Sequence, residues 1–203
     1  YATDHSLITS SVYFPRMDDK GHLLIQIATS DPVGEWRDIM QGLLLAITSA
    51  KNYIYIQTPY LLPTEVILVA LKTSALSGVD VRIMIPEHSD SRMVHWGTCS
   101  YLEELMEAGV RIYMYQKGFL HSKLMVSDDS LASVGSTNID FRSFEHNFEA
   151  NAFLYDSASV LQLKEIFLSD QKDAKLLHLR TWRMRPWYQK VKESVIRLFS
   201  PLL

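Results

Sequence analysis

The feature that most constrains this chain is the alternation of short apolar runs of strand length with longer stretches of helical periodicity. Residues 23–28, 52–57, 79–85 and 110–115 are runs of the first kind, rich in Ile, Val and Tyr. Between them, Trp36, Ile39, Met40, Leu43, Leu44 and Ile47 recur at helical spacing over 35–50. A second helix is expected from Pro63, with Glu65 in its first turn and Val66, Val69, Ala70 and Leu76 among its apolar positions. Gly78 closes it. A third is expected from Asp90, as N-cap, to Ala108, closed by Gly109. Strands joined through helices must cross over, so the pattern predicts an α/β fold with a mixed, largely parallel β-sheet flanked by helices on both faces.

After 115 the rhythm changes. Two strands follow, joined only by Asp128-Asp129-Ser130, and then a strand over 147–155 and a helix over 157–168. In the strand, Asn147, Glu149 and Asn151 fall on one face; Phe148, Ala150, Ala152 and Leu154, on the other, read as core.

With 203 residues, 47% of them hydrophobic, the chain holds one sizeable core. Cys99 is the only cysteine, so no internal disulfide forms and a reducing compartment is expected. No apolar run reaches membrane-spanning length and no signal peptide is evident. A start at Tyr1 rather than Met reads as processing or a fragment. From Lys172 onward eight Lys or Arg stand against Asp173 and Glu193, a charge of +6. The whole chain carries −3, which leaves −9 for residues 1–171. An acidic body with a basic tail argues against a whole-surface nucleic-acid binder, so no nucleic acid is expected as partner, and leaves room for a local anionic partner at the tail.

The chemistry concentrates in HSKLMVSDDSLASVGSTN, residues 121–138. His121 and Lys123 are two apart, so an extended backbone sends both side chains from one face. Asp128, five beyond Lys123, points away and reads as a support. The following strand delivers Ser136 and Asn138, again two apart. A proton carrier or nucleophile, a cation and two neutral polar groups suit a phosphoryl group. Glu149, eleven positions past Asn138, is suited to hydrogen-bond an imidazole nitrogen.

This spacing resembles the HxKx4Dx6GSxN signature of the phospholipase D superfamily. Outside it, TPYLLP at 58–63, HSDSRMV at 88–94, LMEAGVRIY at 105–113, FRSFEHNFE at 141–149 and the closing LFSPLL resemble the C-terminal half of bacterial cardiolipin synthase. The resemblance runs from about residue 13 to the end. It implies a linker or N-terminal extension over 1–21, a phospholipase D-like catalytic half-domain over 22–171 and a basic helical tail over 172–203. It also implies transfer of a phosphatidyl group between two phosphatidylglycerols through a phosphohistidine, with no metal or organic cofactor. One histidine cannot attack phosphorus from one side and protonate the leaving oxygen on the other. A single motif is therefore half a site, completed by an N-terminal HKD half of the same enzyme or, in a phosphodiesterase or nuclease reading, by a homodimer. An inactive lipid-surface or dimerisation module is the third reading. In two-motif relatives the nucleophile belongs to the first copy, which makes His121 the acid of the first step and the base of the second. The family places the full-length protein at the bacterial cytoplasmic membrane, its catalytic part on the cytoplasmic side.

Around the motif, Tyr60 ends a strand where α/β sheets bind ligands, and either lines the pocket or plugs the strand end. Asp90 and Trp96 occupy the next such loop, where Asp90 contacts a glycerol hydroxyl if it is not a cap. Arg142, just past Asn138, touches a phosphate or makes a surface ion pair. His88, His95 and His146 lack a metal-ligand spacing. In the tail, Trp187, Val191, Val195, Leu198 and Leu202 form one stripe among Arg and Lys. Such a basic amphipathic helix either lies on an anionic membrane surface or docks its stripe on the core.

Overall fold

The computed structural model describes residues 9–16 and 21–202. The linker expected over 1–21 lies largely outside them; within it, Ser11–Tyr13 make one 3-10 turn. The remaining elements, in order, are β1 (Ile25–Ser30), α1 (Asp38–Ser49), β2 (Tyr53–Gln57), β3 (Leu61–Leu62), α2 (Glu65–Leu76) and β4 (Asp80–Pro86). Then come α3 (Arg92–Glu107), β5 (Arg111–Tyr115), β6 (Leu124–Ser127), β7 (Leu131–Gly135), β8 (Ile139–Asp140), α4 (Phe141–Glu145) and β9 (Glu149–Leu154). The chain closes with α5 (Ser157–Gln171), β10 (Ala174–Leu176), α6 (Leu179–Arg183) and α7 (Trp187–Arg197).

Eight strands form one sheet in the order β1-β9-β7-β6-β2-β4-β5-β10, and β3 pairs with β8 apart from it. The sheet is mixed but not largely parallel. Only β2-β4 and β4-β5 are parallel, where α2 and α3 supply the crossovers. The other five pairings are antiparallel. The physical reason is connection length: Asp128-Asp129 is too short for a crossover, and β6 and β7 must form a hairpin. Both residues take left-handed φ, 50° and 55°, as the tight turn requires.

Helices cover both faces. On one, α1, α2 and α3 bring Ile39, Ile47, Ile67, Leu71 and Leu102 against Ile54, Ile56, Ile83 and Ile112. On the other, α5 packs Val160 and Phe167 onto Tyr53, Tyr55, Met84 and Val126. This is why every residue of β2 is buried, as its unbroken apolar run demands. Phe167 is fully enclosed, and its truncation to alanine would cost about 4 kcal/mol.

Several local expectations change. On α2, Val66, Val69 and Leu76 are exposed, while Ile67, Leu68 and Leu71 join Ala70 in the core. The run Val66–Leu71 is apolar all round, so packing rather than periodicity selects the buried face. Trp36 precedes α1 and is exposed. The cap of α3 is Ser91, whose hydroxyl accepts from Val94 N–H (3.4 Å), not Asp90. On β9 the faces are reversed. Glu149, Asn151 and Phe153 are buried, Phe148 and Ala150 are exposed, and Ala152 and Leu154 are half-buried. Its neighbours explain this: Phe153 enters the α1 layer and Asn151 reaches under β7.

The tail helix does not dock its stripe on the core. Trp187, Val191, Val195, Leu198 and Leu202 are all exposed, whereas Glu193 is buried at 6%. Among the described residues, no helix is long and apolar enough to cross a membrane.

Candidate active site

The antiparallel order brings separated parts of the sequence to one end of the sheet. His121 and Lys123 enter β6, Ser136 and Asn138 leave β7, Glu149 enters β9, and Tyr60 follows β2, which runs against β6. This end is the carboxyl end of the parallel strands, where open α/β sheets place ligands.

The two halves of the motif are tied through the backbone. Gly135 N–H donates to the Lys123 carbonyl (3.3 Å), and Ser136 N–H to the Ala150 carbonyl (3.0 Å). Ser136 and Asn138 sit just beyond β7 rather than on a strand. The Ser136 hydroxyl accepts from Ala150 N–H (3.0 Å) and donates to Glu149 Oε2. Glu149 Oε1 accepts from Asn147 Nδ2 (3.0 Å). Both carboxylate oxygens of Glu149 thus have partners other than the imidazole.

His121 is exposed. Its ring lies 5.3 Å from that of Phe119 and 6.4 Å, edge-on, from that of Tyr60. Lys123 is half-buried and its ammonium donates to the His121 carbonyl (2.9 Å). Burial pushes the Lys123 ammonium below its ordinary pKa, while Glu149 and Asp140 pull the other way. A cation held near carboxylates but short of water is poised to meet an anion.

Asn138 is oriented from behind. Its N–H donates to Ser143 Oγ (3.2 Å), and Ser143 N–H donates to the buried Asp140 carboxylate (2.6 Å), which caps α4. Burial pushes the Asp140 carboxyl up, against the pull of these hydrogen bonds. Asn138 Oδ1 and Thr137 Oγ1 are buried without a hydrogen-bond partner among the described residues.

Asp128 stands at the opposite end of β6. Its carboxylate accepts from the N–H groups of Lys51 (2.7 Å), Asn52 and Tyr53 (2.9 Å each). Burial would raise its carboxyl, but these three donors outweigh it and hold the group below the usual carboxylate range. It clamps the start of β2.

Of the outer residues, Tyr60 donates to Asp90 (2.8 Å) beside His121; burial and that bond push the phenol up to about 12. Arg142 is exposed on α4, whose Glu145 pairs with Arg37 (2.7 Å). Trp96 lies elsewhere: it lines a cavity of about 400 Å³ between α3 and α7, under the Lys192 ammonium 3.1 Å from its ring centre. A larger cavity, about 720 Å³ between β1 and α1, contains none of His121, Lys123, Asn138 or Glu149.

Sequence reasoning missed Phe119, Asp140 and Ser143, and read Asn147 only as a face-mate of Glu149. Asp140-x-x-Ser143 is a helix-cap spacing and was legible as one. The approach of the Phe119 ring to His121 depends on a loop and has no periodic signal.

The family description "Cardiolipin synthase, PLD-like domain" matches residues 43–171. The chain belongs to that family. The PLD-like domain is 44% identical over 202 residues to a cardiolipin synthase of Listeria monocytogenes, covering all of this chain and 42% of that one. It is 45% identical to cardiolipin synthase 2 of Staphylococcus epidermidis, covering 41% of it. The chain therefore spans under half the length of these relatives. Its fold is similar to that of Nuc, a phospholipase D family member from Salmonella typhimurium, at TM-score 0.65 and 21% identity. The likeness covers 77% of this chain and 99% of Nuc. Phosphatidylserine synthase of Haemophilus influenzae matches at TM-score 0.73 and 15% identity over 89% of this chain but 48% of that one. One PLD-like unit thus makes up nearly all of the first and about half of the second.

Proposed function

We propose that this PLD-like domain supplies one of two half-sites of a phosphatidyltransferase that condenses two phosphatidylglycerols into cardiolipin and glycerol. The observation that carries this is the convergence of His121, Lys123, Ser136 and Asn138 at one open sheet end, in a chain 44% identical to less than half of a cardiolipin synthase.

In the first step a histidine of the other half attacks phosphorus, and His121 protonates the departing glycerol oxygen. In the second, His121 takes the hydroxyl proton of the acceptor phosphatidylglycerol, whose oxygen displaces the phosphohistidine. Lys123 and Asn138 hold the non-bridging oxygens. Ser136 holds the Glu149 carboxylate in place, and Glu149 supports Lys123. Tyr60, with Asp90 behind it, borders the leaving or accepting glycerol, and Arg142 is the outer phosphate contact. Asp128 is a scaffold residue. The full-length protein acts at the bacterial cytoplasmic membrane.

A second reading, a single-motif enzyme completed by homodimerisation, is favoured by the likeness that spans 99% of Nuc. One assay separates them. Glycerol release and cardiolipin formation from phosphatidylglycerol vesicles are measured for this chain alone and for a full-length protein containing it. Activity confined to the longer protein, and reduced at least about 10³-fold by His121→Ala, is expected. Activity of the lone chain that tracks its dimer fraction supports the second reading. Cardiolipin formation by the lone monomer overturns the half-site mechanism.

A further inference from the structure

A helix on a protein surface ordinarily turns its apolar stripe inward, and α7 does the reverse. Trp187 (75% exposed), Val191, Val195, Leu198 (79%) and Leu202 (81%) face solvent, continued by Met184 and Tyr188. The inward face is held by charge. From α7, Arg197 pairs with Glu104 (2.6 Å) and Lys190 with Glu103 (3.3 Å); from the neighbouring α6, Arg183 pairs with Glu103 and Glu107, all glutamates on α3. The buried Glu193 takes both arms of Arg185 (2.6 and 2.9 Å), which lies 3.4 Å over the Trp182 ring. These contacts fix the rotation of α7, so the outward stripe is a consequence of packing and not of fraying.

Three observations say what covers it. Between residues 174 and 202 the only carboxylate side chain is Glu193, and it is buried; Arg183, Arg185, Lys190 and Arg197 are paired with glutamates, which leaves Lys175, Arg180 and Lys192 as the cations of this stretch without an ion pair among the described residues. Lys172, Lys175, Arg180 and Lys192 are exposed in the same C-terminal stretch. The short 3-10 segment after α7 (Ser200–Leu202) packs on α4, which begins three residues past Asn138, so the stripe runs up to the candidate site. A second copy of this face would set cations against cations. A bilayer with anionic headgroups matches both halves of the pattern.

We infer that the outward face of α7 and the segment to Leu202 is an interfacial anchor that seats this domain on an anionic phospholipid surface with the His121 end of the sheet toward the lipid. The inference goes beyond the transferase reading and borrows from it only the choice of phosphatidylglycerol as test lipid.

The 203-residue chain, wild type and the triple variant Val191→Ser, Val195→Ser, Leu198→Ser, is co-sedimented with phosphatidylglycerol vesicles and with phosphatidylcholine vesicles. The three sites are exposed, and circular dichroism confirms the fold of the variant. The wild type is expected to partition into phosphatidylglycerol vesicles at least tenfold better than the variant and better than into phosphatidylcholine. His121→Ala partitions like the wild type, which separates anchoring from substrate capture and keeps this result independent of the catalytic reading. No partition of the wild type, partition within twofold for the triple variant, or equal partition into phosphatidylcholine overturns the inference. So does a wild-type dimer in light scattering that the triple variant dissolves, since the stripe would then be an interface between copies.

Discussion

The hydroxyl of Ser136 donates to the Glu149 carboxylate across the gap between β7 and β9, thirteen residues apart in the chain. A residue of the motif is thereby spent on holding a buried acid, whose only other side-chain hydrogen-bond partner among the described residues is Asn147. Ser136→Ala leaves one Glu149 oxygen and the Ala150 N–H without their partner. The expected cost is about 2 kcal/mol of stability together with a roughly 10²-fold fall in kcat. Urea unfolding and cardiolipin formation, both on a full-length protein containing this domain, measure the two.

Asp128 separates structure from chemistry. Asp128→Ala frees three N–H groups at the start of β2 and should cost about 2 kcal/mol, while surviving folded enzyme keeps its KM. Its folded carboxyl lies below the ordinary value of 3.8. The stability it contributes is therefore complete above that value and is lost as pH falls through the lower, folded one. Urea titrations between pH 3 and 7 should show a shallower acid loss for Asp128→Asn than for the wild type. Equal slopes would mean that another carboxylate governs acid unfolding.

Asp140 has the opposite sign. Burial raises its carboxyl, so the charged form is disfavoured in the fold and its penalty grows as pH rises through the folded value. Asp140→Asn keeps an acceptor for Ser143 N–H but removes the charge. The variant should be more stable than the wild type at pH 7, with the difference shrinking toward pH 4. It should also lower the Lys123 ammonium further, since one of two supporting carboxylates is gone. The chemical shift of a labelled Lys123 side chain, followed through alkaline titration, reports this.

The buried Glu193 is paired with the half-buried Arg185, and removing one partner strands the other. Glu193→Ala should destabilise the chain by about 3 kcal/mol. Because this pair fixes α7, hydrogen exchange should speed up over 187–197 before it does in β2 or β4. Uniform loss of protection would show instead that the tail is cooperative with the core.

What the chain determined locally came through. The strand and helix runs, the left-handed closing glycines Gly78 and Gly109, and the motif spacing all rest on interactions within a few residues. Such spacing is written directly in the order of side chains. Three matters were decided only by tertiary packing. Which face of α2 is buried depended on the layer above it, because Val66–Leu71 is apolar all round. Whether Glu149 meets an imidazole or Ser136 and Asn147 depended on the separation of β7 and β9. The outward turn of the α7 stripe depended on Glu103 and Glu104, some ninety residues earlier, whose charges outbid apolar burial for the inner face. Periodicity records that a helix has two unlike faces; only the surface it lands on decides which one is hidden.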